Sequence, residues 1–306
     1  EYFADGITED IIANLSLWKT FPVISRNSSF SFKNSTEKSD VISKALGARY
    51  LVEGSVRKAG NKVRITAQLT SADDDKQIWS KRWDRSLEDI FEVQDEVSRD
   101  VAALISPALK DQEQVKLSTK GKKNFGAWDE YLQGLNIYNT ENFAGSTSGD
   151  KVIEHCKRAI ELDANFCDAY VLYCNVLQGM IYSHEHQDKR EENTKLFHQM
   201  AQKAVDTDPE NPDAMSSLSM SYSIKKDLNK RLETAEKALE LNPSHPRSNF
   251  SYGQALTNFG RNEEALSYVN KAIEMDPQSK KNYEGFFPLL YICLLYTSDA
   301  ADDVAS

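Results

Sequence analysis

Three prolines stand 34 residues apart in the last third of the chain, Pro209, Pro243 and Pro277. Each closes the same phrase: Ala204-Val-Asp-Thr-Asp-Pro209, Ala238-Leu-Glu-Leu-Asn-Pro243 and Ala272-Ile-Glu-Met-Asp-Pro277. A fourth copy, Ala159-Ile-Glu-Leu-Asp-Ala164, lies 45 residues before the first proline and has Ala in its place. A fixed period near 34 is the length of one helix–turn–helix unit, which cannot bury its apolar face alone and must stack on its neighbours. Such a chain builds an extended binding scaffold there, not a closed enzyme core.

From residue 125 onward the pattern reads as helical pairs. The first pair spans about 126–164 with a loop rich in Gly and Ser at 142–150, and the second, 167–211, carries an insertion near 183–194. The third and fourth, 212–245 and 246–279, have the 34-residue length. In the fourth, Tyr252, Gly253 and Leu256 on the first helix face Ala265, Val269 and Ala272 on the second. Small residues let the two helices approach, and the proline stops the second one. A fifth pair begins near Lys280 and is lost in the tail, which leaves an apolar end near Phe286.

The first 110 residues follow another rule. Residues 6–18 read as a helix capped by Thr8, with Ile11, Ile12, Leu15 and Trp18 on one face. The run 21–25 reads as a short strand, and 39–46 as a helix ended by Gly47. The period then becomes two. Residues 50–57 and 63–69 alternate around a Gly60-Asn61 turn, Asp73-Asp74-Asp75 turns the chain again, and 77–83 form a third strand. This is an antiparallel meander with one buried face. Arg64, Lys81 and Arg57 are candidates to share one face, and Trp79 and Trp83 fall on the side of Lys81, a face open to docking by the repeats or by an upstream domain. Residues 87–109 return to helix, with Ile90, Val93, Val97, Val101 and Leu104 as the apolar stripe and Pro107 as a bend or end. Residues 111–124 are a polar linker.

Charge separates the two regions. Residues 1–124 carry a net +1 and residues 125–306 a net −11. Phosphate contacts need Lys and Arg, so the acidic region is not a nucleic-acid binder. The cysteines are Cys156, Cys167, Cys174 and Cys293, with no C-x-x-C. Cys167 and Cys174 lie about 10 Å apart along a helix, too far to bridge. Free buried thiols suit a reducing compartment. The longest apolar run, 286–295, is broken by Pro288 and is half a membrane span.

The sequence carries no complete catalytic or metal-binding motif. Gly145-Ser-Thr-Ser-Gly149 has Thr147 where a nucleophile elbow needs Ser, and no strand precedes Gly149-Asp150-Lys151, as a phosphate loop would require. His184-Glu185-His186 falls short of the three or four ligands of a zinc site. Asp73-Asp74-Asp75 lacks calcium-loop spacing. No catalytic residue, cofactor or metal site is expected.

The helical pairs of 126–279 resemble the tetratricopeptide repeat family. Five blocks before residue 110 resemble, in order, the TolB amino-terminal-like domain: Tyr2-Phe-Ala-Asp-Gly-Ile-Thr-Glu-Asp-Ile11, Val23-Ile-Ser-Arg-Asn-Ser-Ser-Phe30, Tyr50-Leu-Val-Glu-Gly-Ser-Val56, Val63-Arg-Ile-Thr-Ala-Gln-Leu69 and Asp89-Ile-Phe-Glu-Val-Gln-Asp95. That resemblance implies a bacterial signalling protein, a class III adenylate/guanylate cyclase or winged-helix DNA-binding domain upstream, and a first strand missing before Tyr2. The stretch Leu294-Leu-Tyr-Thr-Ser-Asp-Ala-Ala-Asp-Asp303 resembles translated sequencing adapter. The expected organisation is a truncated TolB-like α/β domain at 1–110, a linker at 111–124, tetratricopeptide repeats at 125–292 and an artefactual tail at 293–306. The expected fold is an α/β mixed sheet with an antiparallel meander, followed by an all-α superhelix.

The repeat resemblance also implies a groove lined by positions 2, 5, 9, 12 and 13 of each first helix. Those positions hold Asp168, Val171, Asn175 and Gln178, then Asp213, Ser216, Met220 and Ser223, then Arg247, Phe250, Gln254, Thr257 and Asn258. The binding candidates are Asn175, Gln178, Met220, Arg247, Phe250, Gln254 and Asn258, with Met220 and Phe250 as apolar anchors for a peptide. A carboxylate clamp is disfavoured, because Val171 and Phe250 stand where basic residues belong. The expected function is a non-catalytic interaction region with a protein or peptide partner and an effector domain in cis. Cytoplasmic location is favoured, and the periplasm follows if a membrane helix lies upstream.

Overall fold

The computed structural model describes residues 2–16, 21–72, 76–105, 124–140, 146–284 and 286. The linker at 111–123, the tail at 293–306, Trp18, Pro107, Cys293, the Asp73–Asp75 turn and the run 287–295 lie outside them. Two compact units result: Phe3–Lys122 with Ile273–Lys280, and Lys123–Ala272 with Lys281–Ser306. The first is an α/β unit and the second is helical.

In the α/β unit, α1 (Tyr2–Ser16) starts four residues earlier than the sequence suggests. Thr8 is therefore inside the helix and not its cap; its hydroxyl donates to the Ala4 carbonyl at 3.0 Å. The run 21–25 is not a strand. Pro22 has no N–H to give a ladder, Ile24 packs in a small cluster with Ile42, Leu46 and Leu51, and the Ser25 N–H goes to the Met275 carbonyl at 2.9 Å. Ser25 instead caps α2 (Arg26–Phe30) through a 3.2 Å bond from the Ser28 N–H. Helix α3 (Ser39–Leu46) ends as expected at Gly47, whose φ of +65° is the left-handed cap.

Strands β1 (Tyr50–Ala59), β2 (Lys62–Ser71) and β3 (Lys76–Ser86) form an antiparallel sheet in that order. Its core face carries Val63, Ile65, Ala67 and Leu69 of β2 and Trp83 of β3, all buried. A 3₁₀ turn at Leu87–Asp89 leads into α4 (Ile90–Ile105), whose Ile90, Val93, Val97 and Val101 are buried. This helix packs on β2 and β3. It is tied there by Trp83 Nε1 to Glu96 at 2.7 Å and Lys81 Nζ to Asp100 at 2.8 Å. The tryptophan face is thus occupied by α4. Lys81 pairs in register with Ala67, while Arg57 pairs with Arg64. Directly opposed residues share a face, so Arg57 and Arg64 lie together on the polar face and Lys81 lies on the other.

The helical unit is built from pairs. They are α5 (Phe125–Thr140) with α6 (Ser146–Leu162), α7 (Cys167–Tyr182) with α8 (Arg190–Thr207), α9 (Pro212–Ile224) with α10 (Leu228–Leu241), and α11 (Pro246–Thr257) with α12 (Asn262–Met275). A 3₁₀ turn at Pro277–Ser279 and a short α13 (Lys280–Glu284) follow. Residues 146–150, expected as loop, are the first turn of α6. The insertion of the second pair is a 3₁₀ segment at His184–Lys189 joined to the 18-residue α8.

The repeated phrase ends each pair with a side-chain cap. Asp163, Asp208 and Asn242 each accept the N–H two residues on, at 3.0, 3.3 and 3.0 Å. The last copy, Ala272–Pro277, lies almost wholly within Ile273–Lys280 of the α/β unit and is wired differently. There the Gln278 N–H goes to Ser28 Oγ at 3.0 Å, and Ser28 Oγ donates to Asp276 at 2.6 Å. A serine hydroxyl is inserted into the turn that the other copies close on themselves.

Candidate functional site

First helices of successive pairs touch, α5 to α7, α7 to α9 and α9 to α11, and so form one continuous layer. What they present follows from how each starts. Asn211 caps α9, accepting the N–H groups of Asp213 and Ala214 at 2.9 and 3.0 Å. The same oxygen-and-amide side chain reaches back to the preceding pair, with Nδ2 3.5 Å from Asp168. One period later His245 caps α11 and its Nδ1 accepts the Ser248 N–H at 3.4 Å. The ring proton then belongs on Nε2, which lies 3.3 Å from Asp213. Arg247 adds a 3.4 Å contact to Asp213 and a 3.1 Å bond to Ser217. At both of these steps, therefore, the cap residue of one repeat holds the acidic second position of the repeat before it.

Asp213 is the electrostatic centre of this ladder. Burial on its own would push its carboxyl up, but the His245 imidazole and the Arg247 guanidinium outweigh it and hold it well below the usual carboxylate range. The side chain still keeps 37% of its surface exposed, so solvent screens part of that effect. Arg247 also acts deeper. Its charge opposes the burial that raises Tyr138 on α5 and Cys174 on α7.

The proposed groove residues fall into three groups. Arg247 is anchored by Asp213 and Ser217, as above. Asn175, Gln178 and Gln254 are half-buried on the first-helix layer, and the Gln254 Oε1 is enclosed without a hydrogen-bond partner among the described residues. The rest are already engaged. Met220 packs against the cluster of Leu218, Phe197 and Leu177. Phe250 meets Tyr283 and Phe286 edge-on, with ring centroids 5.0 and 5.8 Å apart. Asn258 accepts a 2.6 Å bond from Arg231, a buried guanidinium whose pKa burial lowers. His245 and Ser217 are not among the groove positions expected from the sequence, and Asp213 is a groove position but not one of the binding candidates. The signal was present: Asp213 and Arg247 are one period apart, as are Asn211 and His245.

Among the described residues no group of three His, Cys, Asp or Glu side chains is placed to hold a metal, and no helix is long and apolar enough to cross a membrane. The His184 and Glu185 side chains lie outside the described set. Cys156, Cys167 and Cys174 are buried and free. Burial pushes Cys174 up to about 12 and Cys156 up as well, which leaves both as inert thiols.

Residues 212–245 and 246–279 each match the tetratricopeptide repeat profile, so α9 to α12 are tetratricopeptide repeats. The chain accordingly combines a stack of tetratricopeptide-type helical pairs with a small three-stranded antiparallel sheet. Among curated proteins, the chain is 34% identical over 235 residues to "Putative adenylate cyclase 3" of Rhizobium meliloti (strain 1021). That match takes in 77% of this chain but only 39% of the relative's length. Among solved structures, a thermophilic TPR protein of Thermus thermophilus (TTC0263) aligns at TM-score 0.45 and 14% identity, covering 66% of this chain and 94% of that one. MamA aligns at TM-score 0.36 and 19% identity, covering 64% and 98%.

Proposed function

We propose that this chain is the non-catalytic interaction region of a bacterial signalling protein, and that its tetratricopeptide layer binds a peptide segment of a protein partner. The carrying observation is the half-buried Arg247, held by Asp213 and Ser217 on a continuous layer of first helices, with a Gln254 oxygen two turns further along the same helix that lacks a partner among the described residues. An extended or helical peptide supplies the N–H that Gln254 lacks and can add a second acidic side chain to Arg247 beside Asp213. Asn175, Gln178 and Asn258 line the rest, and Met220 and Phe250 give the layer its apolar ground. The α/β unit reads as a TolB amino-terminal-like domain on its five sequence blocks, joined by the linker at 111–124 to repeats running to 292. Cytoplasmic placement goes with the free thiols.

Peptide arrays probed with the whole chain test this. Selected peptides should lose about tenfold or more in affinity on Arg247→Glu, with the helical circular dichroism unchanged. Retention of every peptide by the charge-reversed protein would sink the groove reading.

A second reading is favoured by the 34% identity to "Putative adenylate cyclase 3". The parent protein is then a class III adenylate/guanylate cyclase whose catalytic domain lies upstream; a winged-helix regulator is the variant of the same idea. Paired metal-binding aspartates in the reading frame before Glu1, and cyclic nucleotide formation by the full-length protein, select the cyclase. A basic recognition helix there selects the regulator.

A further inference from the structure

One place in the repeats is filled differently each time. Seven residues before Ala159, Ala204, Ala238 and Ala272, the second helices carry Val152, Phe197, Arg231 and Ala265. All four are buried, and three are apolar. The third repeat alone puts a guanidinium there, on a residue 8% exposed. Arg231 Nη1 donates to Asn258 Oδ1 at 2.6 Å, and no carboxylate faces the charge among the described residues. Its Nε and Nη2 have no partner among the described residues and are not sealed off from solvent. A cation drawn out of water against one neutral amide is costly to keep, and an apolar residue costs less at the same place in the other repeats.

The surroundings of that cation define what answers it. The bond from Arg231 fixes the Asn258 oxygen inward and leaves its Nδ2 as a donor. Tyr182, which ends α7, is near enough for its phenol to act on the Arg231 charge, and its hydroxyl can donate too. A carboxylate, which only accepts, matches this set of donors. The wider field agrees. Lys225 and Lys226, in the turn between α9 and α10, have no ion-pair partner among the described residues, and Lys230 has only Asp227 at 3.6 Å. Burial, and then the Lys225 and Lys230 charges, lower the His198 imidazole. This is a positive spot within a region of net charge −11. Apolar surface adjoins it. Of the four large hydrophobic side chains exposed among the described residues of the helical unit, three stand here: Tyr182, Leu228 three residues before Arg231, and Phe259 next to Asn258. One turn before Asn258 on α11 lies the Gln254 oxygen that lacks a donor. A free anion would leave that oxygen and those apolar side chains uncovered, whereas a peptide brings a carboxylate, backbone N–H groups and apolar side chains together.

We propose that Arg231 and Asn258 recognise an Asp or Glu side chain of the partner peptide, whose apolar neighbours cover Tyr182, Leu228 and Phe259. Arg231 is on a second helix, outside the first-helix positions expected to line the groove, so this is a recognition point added to the groove; it rests on the reading that the layer binds a peptide. Arrays of short end-blocked peptides, each acidic peptide beside its Gln or Asn twin, are probed with the 306-residue chain. Bound acidic peptides should exceed their twins by about tenfold in affinity. The ratio should fall to about one in Arg231→Ala, a change that the fourth repeat accommodates at Ala265. Asn258→Asp supplies the missing carboxylate from within the chain. It should raise the thermal midpoint and also abolish the preference, so that misfolding does not account for the loss. A wild-type ratio near one, or a preference that survives in Arg231→Ala or in Asn258→Asp, overturns the proposal while the groove reading stands, because peptides are still bound. An array on which the wild type binds no peptide at all sinks both.

Discussion

Both units bring two backbones together at a glycine, yet they depend on it to different degrees. In the sheet, a Cβ on Gly54 would lie 2.5 Å from the Thr66 carbonyl oxygen. In the fourth repeat, a Cβ on Gly253 would lie 3.0 Å from the Ala265 oxygen and 3.1 Å from Val269. The first position occurs once. The second recurs along the helical unit, filled by Gly134, Cys174, Ser219 and Gly253 at matching places in α5, α7, α9 and α11. The substitutes make use of their extra atom: Ser219 Oγ donates to the Arg231 carbonyl at 2.8 Å, and Cys174 Sγ approaches the Phe197 carbonyl at 3.9 Å. A solenoid spreads the requirement over nearest-neighbour interfaces, whereas a small sheet concentrates it at one crossing.

The largest effect should come from breaking that single crossing. Gly54→Val places branched carbons where no Cβ fits, and overpacking against a backbone atom that the ladder holds in place should cost about 3 kcal/mol. Urea unfolding followed by Trp79 and Trp83 fluorescence should lose its early stability, while the helical transition at 222 nm stays put. A common shift of both transitions would show that the units unfold as one. Gly253→Leu is the counterpart in the repeats, about 2 kcal/mol, because Val269 can yield more than a carbonyl can. Its damage should stay local, with hydrogen exchange rising in α11 and α12 and not in α5 and α6.

The comparison also explains what the sequence could reveal. Pro209, Pro243 and Pro277 made the helical pairs readable, because a proline after a helix acts on local backbone alone. The three strands were equally readable from strict alternation. The run 21–25 misled because Ile24 is apolar for packing against Ile42 and Leu51, not for a place in the sheet. Thr8 misled because its hydroxyl is satisfied inside the helix by Ala4. Among the groove candidates, Arg247 was legible as a charge on a groove position. Its contacts with Asp213 and Ser217 form only once two repeats have stacked, so in the sequence they show only as a one-period spacing of Asp213 and Arg247.

A smaller effect separates the close approaches from an ordinary helical glycine. Gly179 near the end of α7 has nothing within 4 Å of the place where a methyl would stand. Gly179→Ala therefore gains only helix propensity and should stabilise the helical unit by about 0.5 kcal/mol. Gly253→Ala gains the same propensity but meets Ala265 and Val269, so it should come out destabilising. If thermal melts show both substitutions raising the midpoint, the tight contact at Gly253 is not limiting the repeat interface.

The smallest expected effect is electrostatic and belongs to the ladder between repeats. The Asp213 carboxyl is held below its ordinary value of 3.8 in the folded chain. The unfolded state then binds the proton more readily, so the contribution is fully present above about pH 4 to 5 and is lost as pH falls through the folded value. With the side chain 37% exposed, screening keeps it to about 1 kcal/mol or less at moderate salt. Asp213→Asn should consequently lower stability at pH 7, show a shallower acid limb than the wild type, and converge with it near pH 2. Raising the salt should narrow the gap at neutral pH. Parallel acid limbs for the two proteins would mean that Asp213 does not join the third repeat to the fourth, and that the junction rests on its buried small residues alone.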